Sequence, residues 1–161
     1  MVSVLQGDIT AVEADAIVNP WNCNLIPWRM LMPHGVSGRL KQVAGSAVFD
    51  EVQKYGKLKP GQAVLTSAGK LSYKAIIHVA AIGLLGRSNL EIINLGTKNA
   101  LQLAKAKSFK QVAFPLLGTG SGGVSPLESY KIMRAELDRF LPDFDSLILI
   151  IFDKAMFEKL R

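Results

Sequence analysis

The sequence predicts an α/β domain, a three-layer α/β/α sandwich whose central sheet is mixed but mostly parallel. Three observations carry this expectation. Short apolar runs alternate with segments of helical periodicity along the chain. Several runs, such as Ala75-Ile76-Ile77-His78-Val79-Ala80 and Leu147 to Phe152, are almost wholly apolar, as in strands buried on both faces. Segments rich in glycine or asparagine follow strand candidates, where the ligand-binding loops of parallel sheets gather. With 161 residues and 49% hydrophobic content, one domain spanning 1–161 is expected, and no linker or repeat divides it.

The elements follow in order. Val2 to Gln6 is the first strand candidate and Ala16 to Asn19 the second. Gly35 to Ala44 and Ala47 to Tyr55 read as one helical region. Gln62 to Ala68 and Ala75 to Ala80 are the third and fourth strands. Ser88 to Lys107 reads as a long amphipathic helix, and its opening Ser88-Asn89-Leu90-Glu91 has the form of a capping box. Gln111 to Leu117 is the fifth strand and Leu147 to Phe152 the sixth. Between them lies a helix over Leu127 to Phe140, for which Ser125 reads as N-cap, Pro126 as N1 and Glu128 as N3. Lys154 to Leu160 is a closing helix.

Composition narrows the function. A net charge of +6 favours an anionic ligand or partner. Nucleic acid is the less favoured partner, because the basic residues are scattered and only two Trp and three Tyr could stack on bases. Lys70 and Lys74 read as surface charge. Cys23 is the only cysteine, which excludes an intrachain disulfide and a thiolate metal cluster. With two histidines besides, no metal-ligand spacing exists, so neither a metal nor a cofactor is expected. The N-terminus has no charged segment followed by an apolar stretch, and Ser146 to Phe152 is too short to span a bilayer. A cytoplasmic location without a membrane partner is the expectation.

Three segments are placed to form a site. Gly118-Thr119-Gly120-Ser121-Gly122-Gly123 lies between a strand and a helix start. Without Cβ atoms its backbone can approach an anion closely, and its N–H groups and those of the helix start can face phosphate. The same loop satisfies Gly-x-Gly-x-x-Gly, with Asp153 ending the next strand. However, it falls too late in the chain for a dinucleotide-binding unit, and no Lys-Ser or Lys-Thr follows to make a P-loop. In Gly7-Asp8-Ile9-Thr10, Asp8 either accepts from an exocyclic amine such as adenine's, with a neighbouring backbone N–H on a ring nitrogen, or punctuates a short turn. In Asn19-Pro20-Trp21-Asn22, either asparagine suits a ribose hydroxyl and either could bond its own backbone; spacing does not decide which. Gly35 and Gly38 open a helix and could form a second anion site near His34, itself the simpler choice as a loop histidine. His78 reads as a core histidine bonded to a neighbour. The apolar stretch Cys23 to Met32 is simplest as core.

Assembled, these residues resemble a macro domain, the ADP-ribose-binding module, over nearly the whole chain. Gly7-Asp8-Ile9-Thr10 matches the family's opening motif, and Ala14 to Asn22 is similar to its "DAIVNAAN" segment. Gly35-Val36-Ser37-Gly38 resembles the end of the first phosphate loop, Ile76 to Val79 a core strand, Phe114 to Gly123 the second phosphate loop, and Phe152-Asp153-Lys154 the end of the last strand. The resemblance implies that Asp8 holds the adenine amine with the Ile9 backbone beside it. Phe152 would pack on adenine with Asp153 nearby. Asn22, the candidate catalytic residue, would bind the distal ribose, while Gly35, Val36, Ser37 and Gly118 to Gly123 wrap the diphosphate and that ribose. It implies recognition of ADP-ribose or an ADP-ribosylated macromolecule, with hydrolysis of ADP-ribosyl derivatives or deacetylation of O-acetyl-ADP-ribose in some members. Two departures stand out. Many hydrolytic members carry an aspartate at the Ser37 position, near the anomeric carbon, and a serine hydroxyl is no substitute for a carboxylate base. A water activated by the substrate's own diphosphate is the remaining route. Gly122 stands where the family often has an aromatic residue against the distal ribose. That side is therefore expected to be open, with Trp28 of the apolar stretch as a candidate replacement.

Overall fold

The computed structural model describes residues 1–161. Its strands are β1 (Val2–Gln6), β2 (Ala16–Trp21), β3 (Ala63–Thr66), β4 (Ala75–Ala80), β5 (Gln111–Pro115) and β6 (Ser146–Ile151). Its helices are α1 (Gly35–Val43), α2 (Ala47–Gln53), α3 (Leu90–Ala106), α4 (Pro126–Phe140) and α5 (Lys154–Leu160). Short 3₁₀ turns cover Ile9–Ala11, Trp28–Met30 and Leu141–Asp143. The six strands form one sheet in the order β1-β6-β5-β2-β4-β3, parallel throughout except that β3 runs antiparallel to β4 at one edge.

Alternation of side chains assigns each strand residue to a layer. Val18, Ile77, Val79, Val112, Phe114, Leu147 and Leu149 face α3 and α4, meeting Ile93, Leu101, Met133 and Leu137. Ile17, Ile76, Ala113, Ile148 and Ile150 point the other way, onto Leu40 of α1 and Val48, Phe49 and Val52 of α2. Leu40 is fully buried; burial of a leucine stabilises by roughly 1.5–3 kcal/mol, which seats α1 against the sheet. Pairing between β2 and β4 runs over six residues, whereas β2 and β5 register only through Ala16↔Val112 and Ile17↔Ala113. Beyond that point the two central strands part toward their carboxyl ends, where the loops of interest emerge.

Several element ends differ from expectation for identifiable reasons. The region from 35 to 55 is two helices, because Gly45 turns at φ 90° and the Ala44 carbonyl accepts from the Lys70 amide instead of continuing the helix. The cap of α3 is Asn89, whose side chain accepts from the Ile92 amide at 2.9 Å. Ser88 instead gives its backbone N–H to the Gly122 carbonyl, so the expected box at Ser88 does not form. Ser125 does stand at the N-cap of α4 with Pro126 following, yet its hydroxyl makes no capping bond. β2 extends through Pro20 and Trp21, while β3 is trimmed to four residues.

Candidate functional site

A cavity of about 570 Å³ opens where β1, β5 and β6 end and α1 begins. Pro115, Leu116, Ile150, Ile151 and Met156 give it apolar walls. Asp8, Ile9, Gly35, Val36, Thr119, Phe152 and Asp153, all expected in a site, line it as well. Residues more than a hundred positions apart therefore meet at one rim of the sheet.

Two segments with unused backbone donors reach the cavity, which Gly35, Val36 and Thr119 line, while Ser37, Gly118 and Gly120 to Gly123 stand outside its lining. At α1, His34 stands at the N-cap without a side-chain bond, and Gly35 adopts φ 55°. The amides of Gly35, Val36 and Ser37 have no acceptor in the protein, as the first turn of any helix requires. In the loop after β5, Gly123 donates to the Gly120 carbonyl at 3.1 Å and Val124 to the Gly118 carbonyl at 3.0 Å. These bonds curl the segment so that the amides of Thr119, Gly120, Ser121 and Gly122 are left free. Gly118 and Gly123 sit at φ 71° and 76°, where side chains are disfavoured. Gly122 is a glycine for another reason: a Cβ there would lie 2.6 Å from the Gly118 carbonyl oxygen and 2.8 Å from the Ser88 Cβ. The expected open side at Gly122 is thus filled by the segment before α3.

The opposite end of the cavity combines an acid, a base and an aromatic ring. Asp8 Oδ1 accepts from the Thr10 amide at 2.8 Å and the Thr10 hydroxyl at 2.7 Å, capping the first 3₁₀ turn. Its Oδ2 accepts from Arg39 Nε at 2.8 Å. The turn-capping reading of Asp8 is met, and the same residue lines the cavity. Burial alone would raise this carboxyl, but the Thr10 hydroxyl and amide and then the Arg39 guanidinium outweigh it and hold it below the ordinary 3.8. Phe152 is 78% exposed at the cavity, an aromatic face with nothing against it. Gln6 Nε2 donates to the Phe152 carbonyl, and Asp153 caps α5 by accepting from the Met156 amide. Arg39 and Met156 were not legible as site residues. Arg39 could have been found: it lies one turn beyond Gly35 on α1, on the same helix face.

Behind the α1 start runs a buried polar chain. Ser37 Oγ donates to Asn19 Oδ1 at 2.8 Å and to the Pro20 carbonyl at 3.1 Å. Asn19 Nδ2 lies 3.0 Å from His78 Nδ1, and His78 Nε2 lies 2.8 Å from Thr66 Oγ1. Since Asn19 Nδ2 can only donate, Nδ1 accepts, the imidazole carries its proton on Nε2, and the Thr66 hydroxyl passes on to the Ser67 carbonyl. His78 is fully buried, and desolvation lowers its pKa to about 3, so it is neutral. It is the bonded core histidine that the sequence suggested. Ser37 lends its backbone to the α1 start while its hydroxyl faces inward.

Asn22 follows β2 outside the cavity lining, and its Oδ1 accepts from the Asn24 amide at 2.8 Å in a local turn. Asn19 is the asparagine buried in the polar chain. Trp28 does not reach the glycine loop: it is 5% exposed, packs on Phe49 at 5.4 Å, and donates its indole N–H to Asp50 Oδ1 at 2.8 Å. Arg29 and Lys41 lie over its ring. The apolar stretch is therefore core at Cys23 and Trp28, with Leu25, Ile26, Met30 and Met32 exposed.

Comparison with known proteins agrees with this geometry. Residues 18–133 match the family model of the Macro domain. An uncharacterized protein of Aquifex aeolicus is 37% identical over 159 residues, 98% of this chain and 93% of that protein. A Klebsiella pneumoniae protein named O-acetyl-ADP-ribose deacetylase is 35% identical over 155 residues, covering 92% of this chain and 86% of its own. A mutant Oceanobacillus iheyensis macrodomain with ADPR superposes at a TM-score of 0.84 with 25% identity, over 98% of this chain and 88% of that one. The Trypanosoma brucei macrodomain in complex with ADP-ribose shares the fold at a TM-score of 0.85 and 23% identity, over 99% of this chain and 67% of that one. The chain belongs to the macro-domain family.

Proposed function

We propose that the cavity binds ADP-ribose and that the chain acts on its derivatives, with O-acetyl-ADP-ribose or an ADP-ribosylated macromolecule as substrate. One observation carries this reading: the free amides of Gly35, Val36 and Thr119, at the cavity-facing ends of two runs of unused donors, line a cavity that also holds Asp8 and Phe152. The amides suit a diphosphate. Asp8 suits an amine-bearing base, and Phe152 suits the flat face of that base. On this reading 118–123 is a phosphate-binding loop and Asn22 serves the distal ribose, its Nδ2 being the free end of its amide. A cytoplasmic setting and a single domain over 1–161 belong to the same reading.

Turnover would add water to the ester or glycosidic carbon and release acetate or the side chain freed of its modification, with ADP-ribose as the other product. Ser37 does not serve as the base for the water's proton, because an unactivated hydroxyl is far too weak a base at neutral pH and this one is turned inward to Asn19 and Pro20. A diphosphate oxygen of the bound substrate would then take the proton. The engaged Ser37 equally favours a second reading, in which the chain recognises ADP-ribose without turnover. Calorimetry with ADP-ribose, ATP and NAD tests binding, with ADP-ribose expected to bind tightest. Incubation with O-acetyl-ADP-ribose and with mono-ADP-ribosylated protein, native against Asn22→Ala, separates the two readings. Release lost in Asn22→Ala supports the enzyme. Tight binding without release supports the reader, and release that survives the substitution removes Asn22 from catalysis.

A further inference from the structure

At the end of the cavity holding Phe152, three lining residues supply a donor, an acceptor and a donor: Ile9, Asp8 and Arg39. The Ile9 amide has no acceptor in the protein. Asp8 Oδ1 is used up by Thr10, leaving Oδ2 as the oxygen open to a ligand. Arg39 Nε is 2.8 Å from that oxygen, and its Nη2 has no partner, while Nη1 reaches Gln42 Oε1 only at 3.5 Å. Arg39 lines the cavity with Asp8, Ile9 and Phe152. An acceptor and a donor side by side on a planar frame are what reads the N6 amine and N7 of adenine together.

We propose that Arg39 is a specificity-determining residue of the base subsite, its free Nη2 donating to adenine N7 beside the Asp8 and Ile9 contacts that the resemblance already implies. The inference rests on the ADP-ribose reading above and adds to it the edge by which the base is recognised. The ion pair has a reason to exist at this position: a carboxylate alone would accept from any amine, whereas the guanidinium beside it demands a ring acceptor next to that amine. Arg39 also keeps Asp8 Oδ2 from turning away, since Nε donates to it in a fixed fork.

The test is binding of ADP-ribose and of its 7-deaza-adenine analogue, in which a C–H replaces N7, to the native chain, Arg39→Ala and Arg39→Met. Arg39 lies on the exposed side of α1, so both variants are expected to fold; Arg39→Met also keeps the apolar stem that covers the cavity wall. The native chain should prefer ADP-ribose over the analogue by about tenfold, within the range of a bidentate base contact. Both variants should bind the two ligands equally. If the native chain binds both ligands alike, or if the variants keep the native preference, Arg39 does not read N7 and the proposal fails. A uniform loss of affinity for both ligands with the preference intact would make Arg39 a structural partner of Asp8 only, which also overturns it. If the native chain binds neither ligand, the ADP-ribose reading itself is at fault.

Discussion

Replacing Gly120 by alanine separates the fold of the glycine loop from its use. A Cβ at Gly120 meets no atom within 4 Å, and its φ lies outside the left-handed region. The folded loop therefore accommodates the methyl, and the less flexible unfolded chain should leave stability unchanged or raise it by about 0.4–1 kcal/mol. The ligand is what the methyl would meet. If phosphate rests on the free Gly120 amide, the added group pushes it off that donor, and a hydrogen bond to a charged group is worth about 1.5–3 kcal/mol. Affinity for ADP-ribose should fall by roughly 10- to 150-fold, while the melting temperature without ligand holds. Gly122→Ala is the contrast, because its Cβ would overlap the Gly118 carbonyl and Ser88. Overpacking of that kind costs roughly 1–3 kcal/mol, so stability and affinity should fall together. Calorimetry and thermal melting on both variants read the two effects. Full affinity in Gly120→Ala would refute the reasoning, since the anion would then sit elsewhere.

Asp8→Ala should weaken ADP-ribose binding by about 1.5–3 kcal/mol through loss of a charge-assisted hydrogen bond; an unchanged Kd would place the base away from Asp8. For His78, the unfolded chain takes up a proton below its ordinary 6.5 that the folded chain refuses until about pH 3. Native stability should thus be full above pH 6.5 and decline as pH falls, by about 1.4 kcal/mol per pH unit. His78→Gln should show a flatter profile between pH 6.5 and 5, and parallel denaturation curves would contradict the buried neutral histidine. Ser37→Asp should not create a general base: its carboxylate would face Asn19 Oδ1 and the Pro20 carbonyl, both acceptors, so a lower melting temperature without faster hydrolysis is expected. Trp28→Ala should cost about 3–5 kcal/mol of stability as a core truncation; if the variant retains enough fold to assay, its ADP-ribose affinity should be native.

The strands were legible because their apolar runs needed no partner to be recognised, and β1, β4 and α5 have the expected bounds. Motif-bearing loops were legible too, since the glycine density of 118–123 and the Gly-Asp-Ile-Thr run at 7–10 stand out from the apolar strands that precede them. What the sequence concealed were contacts between distant segments. Nothing near Gly122 in sequence announces that Ser88 fills the space beside it. Nothing near Ser37 reveals that its hydroxyl turns inward to Asn19. Arg39 was hidden among scattered basic residues because its meaning comes from Asp8, 31 positions earlier. Trp28 looked available because an apolar stretch after a turn does not say whether it folds inward, and Phe49 and Asp50 decide that it does.

The meeting of β1, β5, β6 and α1 around one cavity has a consequence for how the molecule reports its own integrity. The crevice is lined from 7–9, 35–39, 115–119 and 150–156, so its wall is complete only when both ends of the chain and two segments between them are assembled. Occupancy therefore acts as a brace on the whole fold. At a hundredfold excess over its Kd, a ligand of the native state adds about 2.7 kcal/mol, which makes nucleotide-dependent thermal protection a gauge of complete folding.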